Sequence, residues 1–238
     1  MPNRYIPYAK VLVHLLCLVP FALLVFSYTS GRLALQADPV LGITHFTGDW
    51  ALYMLFIALA VTPVRRVHPK LSNLVRFRRM LGLYAFFYAS LHLATYIFLF
   101  SGYDLPSAWN SVRQGHPGAL WTQWTAVWPT VLDDLKKRKF IQVGLFTWVI
   151  LLALTLTSPQ FVLRAMGGKN WQRVHRLVYV AGIAACIHYW WLVKRGNMQP
   201  LVDTLVLSGL LLARVMWSWN KKQNQPKVRN ATKLQPTV

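Results

Sequence analysis

Six stretches of this chain are long and apolar enough to cross a lipid bilayer, approximately 11–28, 50–64, 81–100, 140–157, 177–193 and 201–219. A bilayer core of about 30 Å calls for roughly 20 apolar residues in a helix. Inside that core every backbone polar group must find a partner within the protein, which leaves helices or a closed barrel. Runs of this length favour helices. Each stretch is bounded by breakers or charges: Gly31 with Arg32, Thr62-Pro63 with Arg65, Ser158-Pro159, and Lys194-Arg195-Gly196. The expected fold is therefore all-α: a polytopic membrane bundle of six transmembrane helices. The first stretch lacks a small-residue cleavage site and is expected to remain as a span.

Composition agrees. Hydrophobic residues make up 55% of the chain and charged residues only 13%, yet the net charge is +20. A soluble domain carries about 25% charged residues, and a nucleic-acid binder this basic would be polar, so no nucleic-acid partner is expected. The cations instead suit loops beside membrane lipid. There is no Glu, and the only acids are six Asp, a poor supply for paired-carboxylate catalysis or an all-oxygen metal cage.

Placing the N-terminus, the loops 65–79 and 164–176 and the C-terminal tail on one side puts 18 Lys and Arg there, against 8 opposite. The positive-inside rule then predicts both termini in the cytoplasm. The run Lys136, Lys137, Arg138, Lys139 is discordant, partly offset by Asp133 and Asp134. Residues 1–219 read as one transmembrane domain with a single long outer loop, 101–139, and 220–238 as a basic, disordered cytoplasmic tail. No internal repeat is evident. In the outer loop Trp121, Trp124 and Trp128 share one helical face, so 120–128 is expected to lie in the interface with its indoles at headgroup level. Cys17 and Cys186 fall in spans and read as packing residues.

The histidines carry the functional signal. His68 and His116 precede prolines in loops and read as solvated. His14, His92 and His188 lie inside spans, where an ionisable residue is costly and marks a site by default. His92 follows Arg79 by 13 positions and His188 follows Arg176 by 12. At about 1.5 Å per residue both imidazoles sit roughly 18–20 Å from the cytoplasmic boundary. Two neutral histidines at one depth on different helices suit the two axial positions of one iron. Zinc or copper would want three or four protein ligands, whereas haem supplies four equatorial nitrogens itself. Without a CxxCH motif the haem would be b-type. With both axial positions filled it would carry electrons rather than bind oxygen.

His175 stands 13 residues before His188, roughly 20 Å along the axis but about 140° out of phase on an ideal helix. A shared direction requires a deviation near Gly182 or a frayed first turn. Fourteen residues before His92 stands Arg78, which cannot ligate iron but can pair with a haem propionate. One bis-histidine haem is well furnished; a second is possible and poorly furnished. His14 and His45 are open between bonding a propionate, serving a quinol and simple packing.

The ordered set Val19-Pro20-Phe21, Ala37-Asp38-Pro39, His45-Phe46-Thr47-Gly48, Thr62-Pro63, Arg78-Arg79-Met80-Leu81-Gly82-Leu83, Leu91-His92-Leu93, Trp148 to Leu154, Trp171-Gln172 and His188-Tyr189 resembles the MsrQ (YedZ) family. Those proteins are the haem-binding membrane subunits of a methionine sulfoxide reductase system, with a ferric-reductase-like transmembrane core. The resemblance implies that His92, His175 and His188 are haem iron ligands, with Arg78 where the wider superfamily has a fourth histidine. It implies an electron-transfer subunit of an oxidoreductase system, without catalytic residues of its own, in the bacterial inner membrane. Electrons would come from the quinone pool or a cytoplasmic flavin reductase. They would go to a periplasmic molybdenum-dependent partner, MsrP, that repairs oxidised methionine in periplasmic proteins. FMN is implied by the resemblance alone; Arg79 and Arg173 are its weak phosphate candidates, or propionate partners. The outer loop is longer than the family's usual link. Only about 20 residues follow the sixth stretch and no GxGxxG follows a strand pattern, so the reductant is expected from outside this chain. The alternative is a stand-alone ferric or cupric metalloreductase of the membrane.

Overall fold

The computed structural model describes residues 3–32, 37–193 and 196–223, and all its regular elements are helical. The long helices are α1 (Ile6–Thr29), α2 (Pro39–Val67), α3 (Arg78–Thr95), α6 (Lys139–Leu156), α9 (Leu177–Leu192) and α10 (Gln199–Gln223). Shorter ones are α4 (Leu105–Arg113) and α5 (Ala119–Lys137) in the long loop, and α7 (Gln160–Met166) and α8 (Gly168–His175) before α9. Among the described residues five helices are long and apolar enough to cross a membrane: α1, α2, α3 with its continuation to Phe100, α6 and α10. The sixth expected span, α9, is 16 residues long, about 24 Å of helix. Of the expected tail 220–238, residues 220–223 continue α10 and 224–238 lie outside the described residues.

Local chemistry sets the ends. The Asp38 carboxylate accepts a hydrogen bond from Leu41 N at 2.9 Å, and Pro39 occupies the first turn, where its missing N–H costs nothing. α2 therefore begins eleven residues before the expected span. It also runs one turn past Pro63 to Val67, so Thr62-Pro63 does not stop it. His68 then caps the following 3-10 segment, Pro69–Arg76, its Nδ1 accepting from Lys70 N.

The core lies between α2, α3, α6 and α9, where Leu55, Leu59, Leu81, Leu151 and Leu154 are buried. Ala85 on α3 and Ala181 on α9 have no exposed surface, small residues that let helices approach closely. α3 packs most heavily on α2, and α9 on α6, with α3 against α6 joining the two pairs and α10 closing on α2 and α9. α1 stands outside, most of its large apolar side chains exposed, as suits a lipid-facing helix. It is fastened by an inserted hydroxyl: Tyr88 Oη receives Phe21 N–H at 3.1 Å and donates to Cys17 O at 2.7 Å. Those are the donor and acceptor one helical turn apart beside Pro20, bridged by a side chain from α3.

All six Asp lie towards one end of the bundle or in the long loop. Arg65, Arg66, Arg78, Arg79 and Arg214 gather at the other, called here the basic end. The discordant cations near the acidic end are partly met: Lys137 pairs with Asp133 at 2.9 Å and Arg138 with Asp134 at 2.8 Å. α5 contains the expected Trp face but is far longer. Trp124 and Trp128 pack with centroids 5.5 Å apart and planes tilted by 32°, while Trp121 is exposed.

Candidate haem site

Each in-span histidine of α3 and α9 is held by the helix paired with its own. His92 Nδ1 bonds Thr44 O of α2 at 3.0 Å, and His188 Nδ1 bonds Phe140 O of α6 at 2.7 Å. A carbonyl can only accept, so each Nδ1 carries the hydrogen and each Nε2 is left with a free lone pair. This is how proteins orient an imidazole that binds metal. The two rings face across the bundle with centroids 6.0 Å apart and planes at 82°. Two axial imidazoles at about 2 Å from one metal put their ring centres roughly 6 Å apart. The pair therefore fits a single six-coordinate iron.

Glycines make room for the rings. A Cβ on Gly48 would lie 3.1 Å from His92 Cε1 and Nδ1, and one on Gly144 would lie 2.9 Å from the same atoms of His188. Each histidine comes 48 residues after the residue whose carbonyl it bonds. Thr44, Gly48 and His92 thus recur as Phe140, Gly144 and His188, all shifted by 96 residues, as are Pro63 to Pro159 and Ala85 to Ala181. The α2–α3 and α6–α9 pairs are two copies of one device, matched where they touch the histidines and otherwise only apolar.

The third histidine sits elsewhere. His175 ends α8, and a turn at Arg176 separates it from α9, which resolves the helical phase conflict. Its ring stacks on Trp171 with centroids 3.9 Å apart. Its Nε2 lies 3.3 Å from Thr157 Oγ1, and Trp171 Nε1–H donates to Thr157 O at 2.8 Å. Burial, then the charge of nearby Arg78, hold the imidazole below its ordinary pKa, so it is neutral and offers a lone pair. The backbone of Thr157 also hydrogen-bonds the imidazole and partly offsets these effects. His175 lines a cavity of about 290 Å³ at the basic end with Arg78, Arg79, Gly82, Thr155 and Ser158. One imidazole and two guanidiniums make a set for a single axial ligand and an anionic substituent, not for two axial ligands. Arg173, on α8, turns to Asn170 Oδ1 at 3.4 Å.

Several features escaped the sequence reading. The carbonyls of Thr44 and Phe140 carry no sequence signature. Asp203 is 3% exposed, with a buried Oδ2 that has no partner among the described residues; its place inside a predicted span was the available signal. Cys17 and Cys186 are buried and free, as expected. Among the described residues no three His, Cys or Asp gather as a bare-metal site.

Two helix pairs presenting opposed imidazoles define a ferric-reductase-like transmembrane core. Residues 47–186 match the family described as ferric reductase like transmembrane component. The Xanthomonas oryzae pv. oryzae (strain MAFF 311018) protein-methionine-sulfoxide reductase heme-binding subunit MsrQ is 41% identical over 234 residues, spanning 96% of this chain and 94% of that protein. The subunits of the same name from Xanthomonas axonopodis pv. citri (strain 306) and Herminiimonas arsenicoxydans are 42% identical over 217 residues and 38% over 216, each spanning 90% of this chain and 87% of theirs. The chain belongs to the MsrQ family.

Proposed function

We propose that this protein is a haem b electron carrier that moves electrons through the bacterial inner membrane to a methionine sulfoxide reductase. The observation that carries this reading is the opposed pair His92 and His188, each with Nδ1 committed to a carbonyl and Nε2 free. Bound there, a haem supplies reversible one-electron chemistry. The chain's own residues do the rest: Thr44 and Phe140 set the tautomer, Gly48 and Gly144 leave space for the rings, and the apolar core excludes water.

A second cofactor belongs in the cavity at the basic end, with His175 as its one imidazole and Arg78 facing its acidic substituent. If that substituent is an FMN phosphate, Arg79 holds it, since it lines the cavity while Arg173 is turned to Asn170. The 18 cations grouped by topology support a cytoplasmic basic end and cytoplasmic termini. The His92–His188 pair then stands nearer the periplasm, where the electron acceptor is a molybdenum reductase of the MsrP kind. The donor is the quinone pool or a flavin reductase.

The test is a reduced-minus-oxidised spectrum with a pyridine haemochrome count on purified wild type, His92→Ala, His188→Ala and His175→Ala. Loss of a b-type signal in the first two variants, with a lower count or altered signal in the third, supports this assignment. Wild-type protein free of haem after expression with ample haem would overturn it.

A further inference from the structure

We infer that His14 on α1 and Tyr84 on α3 form a quinol-binding site open to the lipid of the cytoplasmic leaflet. This rests on the reading of the chain as a haem electron carrier, and chooses the quinone pool as its donor.

His14 is exposed although it lies within a strongly apolar helix. Its Nδ1 is 2.9 Å from Tyr84 Oη, and the same hydroxyl reaches His14 O at 3.4 Å. The other ring nitrogen has no partner among the described residues. A polar nitrogen facing acyl chains is costly, and the partner that meets it must itself dissolve in lipid. His14 is eight residues beyond Ile6, about 12 Å along α1, a depth that a quinol headgroup reaches from the cytoplasmic leaflet. Val11 and Leu18 flank His14 on its own helical face and are exposed, which suits an isoprenoid tail.

The pair accommodates both redox forms. When Tyr84 donates to His14 O, the Nδ1–H of His14 donates to the phenol oxygen and Nε2 accepts from a quinol hydroxyl. When Tyr84 donates to Nδ1 instead, Nε2–H donates to a quinone carbonyl. Position suits electron delivery as well. Gly82 and Leu83, just before Tyr84, line the cavity at the basic end, so a headgroup at Tyr84 is separated from it by little more than the width of α3, about 10 Å. Oxidation of one quinol to quinone releases two electrons and two protons. Two ferric haem equivalents held by the protein would take up the electrons, one each, and His14 Nε2 would accept each proton from a quinol hydroxyl and release it to water.

The experiment uses full-length haem-loaded protein in lipid nanodiscs, as wild type, His14→Ala and Tyr84→Phe. A photoreactive azidoquinone reports binding, and decylubiquinol-driven haem reduction reports function, with dithionite as the control. The expected result is labelling of the α1 and α3 peptides carrying His14 and Tyr84, competed by unlabelled decylubiquinone. Both variants should slow quinol-driven reduction by about tenfold, the loss of roughly one hydrogen bond, with haem content and the dithionite spectrum unchanged. Labelling elsewhere, or wild-type rates in Tyr84→Phe and His14→Ala, would overturn the site while leaving a quinol donor in place. A second copy covering His14 would show as a dimer that excludes the label, also overturning it. Haem that dithionite reduces and decylubiquinol does not would remove the quinol donor and this site together, leaving the electron carrier intact. Wild-type protein without haem would remove the carrier reading itself.

Discussion

His92 and His188 stand with ring centres 6.0 Å apart and planes nearly perpendicular, at 82°, because each ring is aimed by a different helix pair. α2 sets the first through Thr44 O, and α6 sets the second through Phe140 O. Each ring hydrogen-bonds only the carbonyl of its own helix pair, so its orientation is set within that pair.

Filling either glycine should disturb its own ring. A Cβ at Gly144 would sit 2.9 Å from the His188 imidazole, closer than real contacts allow, and one at Gly48 would sit 3.1 Å from His92. Gly144→Ala is expected to lower the haem bound per protein more than Gly48→Ala does. Gly118→Ala, with nothing within 4 Å, should bind as wild type. A haemochrome assay normalised to protein decides; equal occupancy in all three would refute the packing argument.

Tyr88→Phe removes the hydroxyl wedged between Phe21 N–H and Cys17 O. The expected cost is about 1 kcal/mol, one hydrogen-bonded bridge. The haem spectrum should not change, since α1 lies outside the four-helix core. Unfolding in a denaturing detergent measures it, and a haem shift without loss of stability would contradict this role for Tyr88.

Trp148 Nε1–H donates to Ser90 Oγ at 3.0 Å, tying α6 to α3. A double-mutant cycle with Ser90→Ala and Trp148→Phe should give a coupling of about 0.6 kcal/mol, typical for hydrogen bonds between membrane helices. Additive single variants would mean that the bond contributes nothing net.

At the rim of the outer loop, Lys137 and Asp133 pair at 2.9 Å with both side chains more than half exposed. Lys137→Gln should change stability by less than about 0.5 kcal/mol, as exposed ion pairs do. A loss much larger than that in thermal unfolding would show that the pair is shielded in the membrane interface.

Much of the helical framework was legible from apolar runs alone, but its edges were not. The 50–64 stretch became a 29-residue helix because Asp38 and Pro39 start it early and Pro63, near its end, removes a single donor without breaking the last turn. The pairing of His92 with His188 followed from equal depth. The placing of His175 did not, because it depends on the turn at Arg176, which no pattern in 168–180 announces. The shared way of holding the two rings escaped for a related reason. Gly48 and Gly144 take on a role only once His92 and His188 are seen bonded to carbonyls 48 residues earlier in the chain.

The sequence by itself determined that this is a helical membrane protein, which ends of its helices are basic, and which histidines lie at one depth. Those properties depend on run length, charge count and rise per residue, all local to a segment. Only the tertiary structure decided which ring nitrogen of each histidine is free, which glycines clear its space, and where Tyr88 bridges α1. These rest on atoms from helices distant in sequence, such as the carbonyls of Thr44 and Phe140. A carbonyl is the same on every residue, so nothing but its position in space gives it a role.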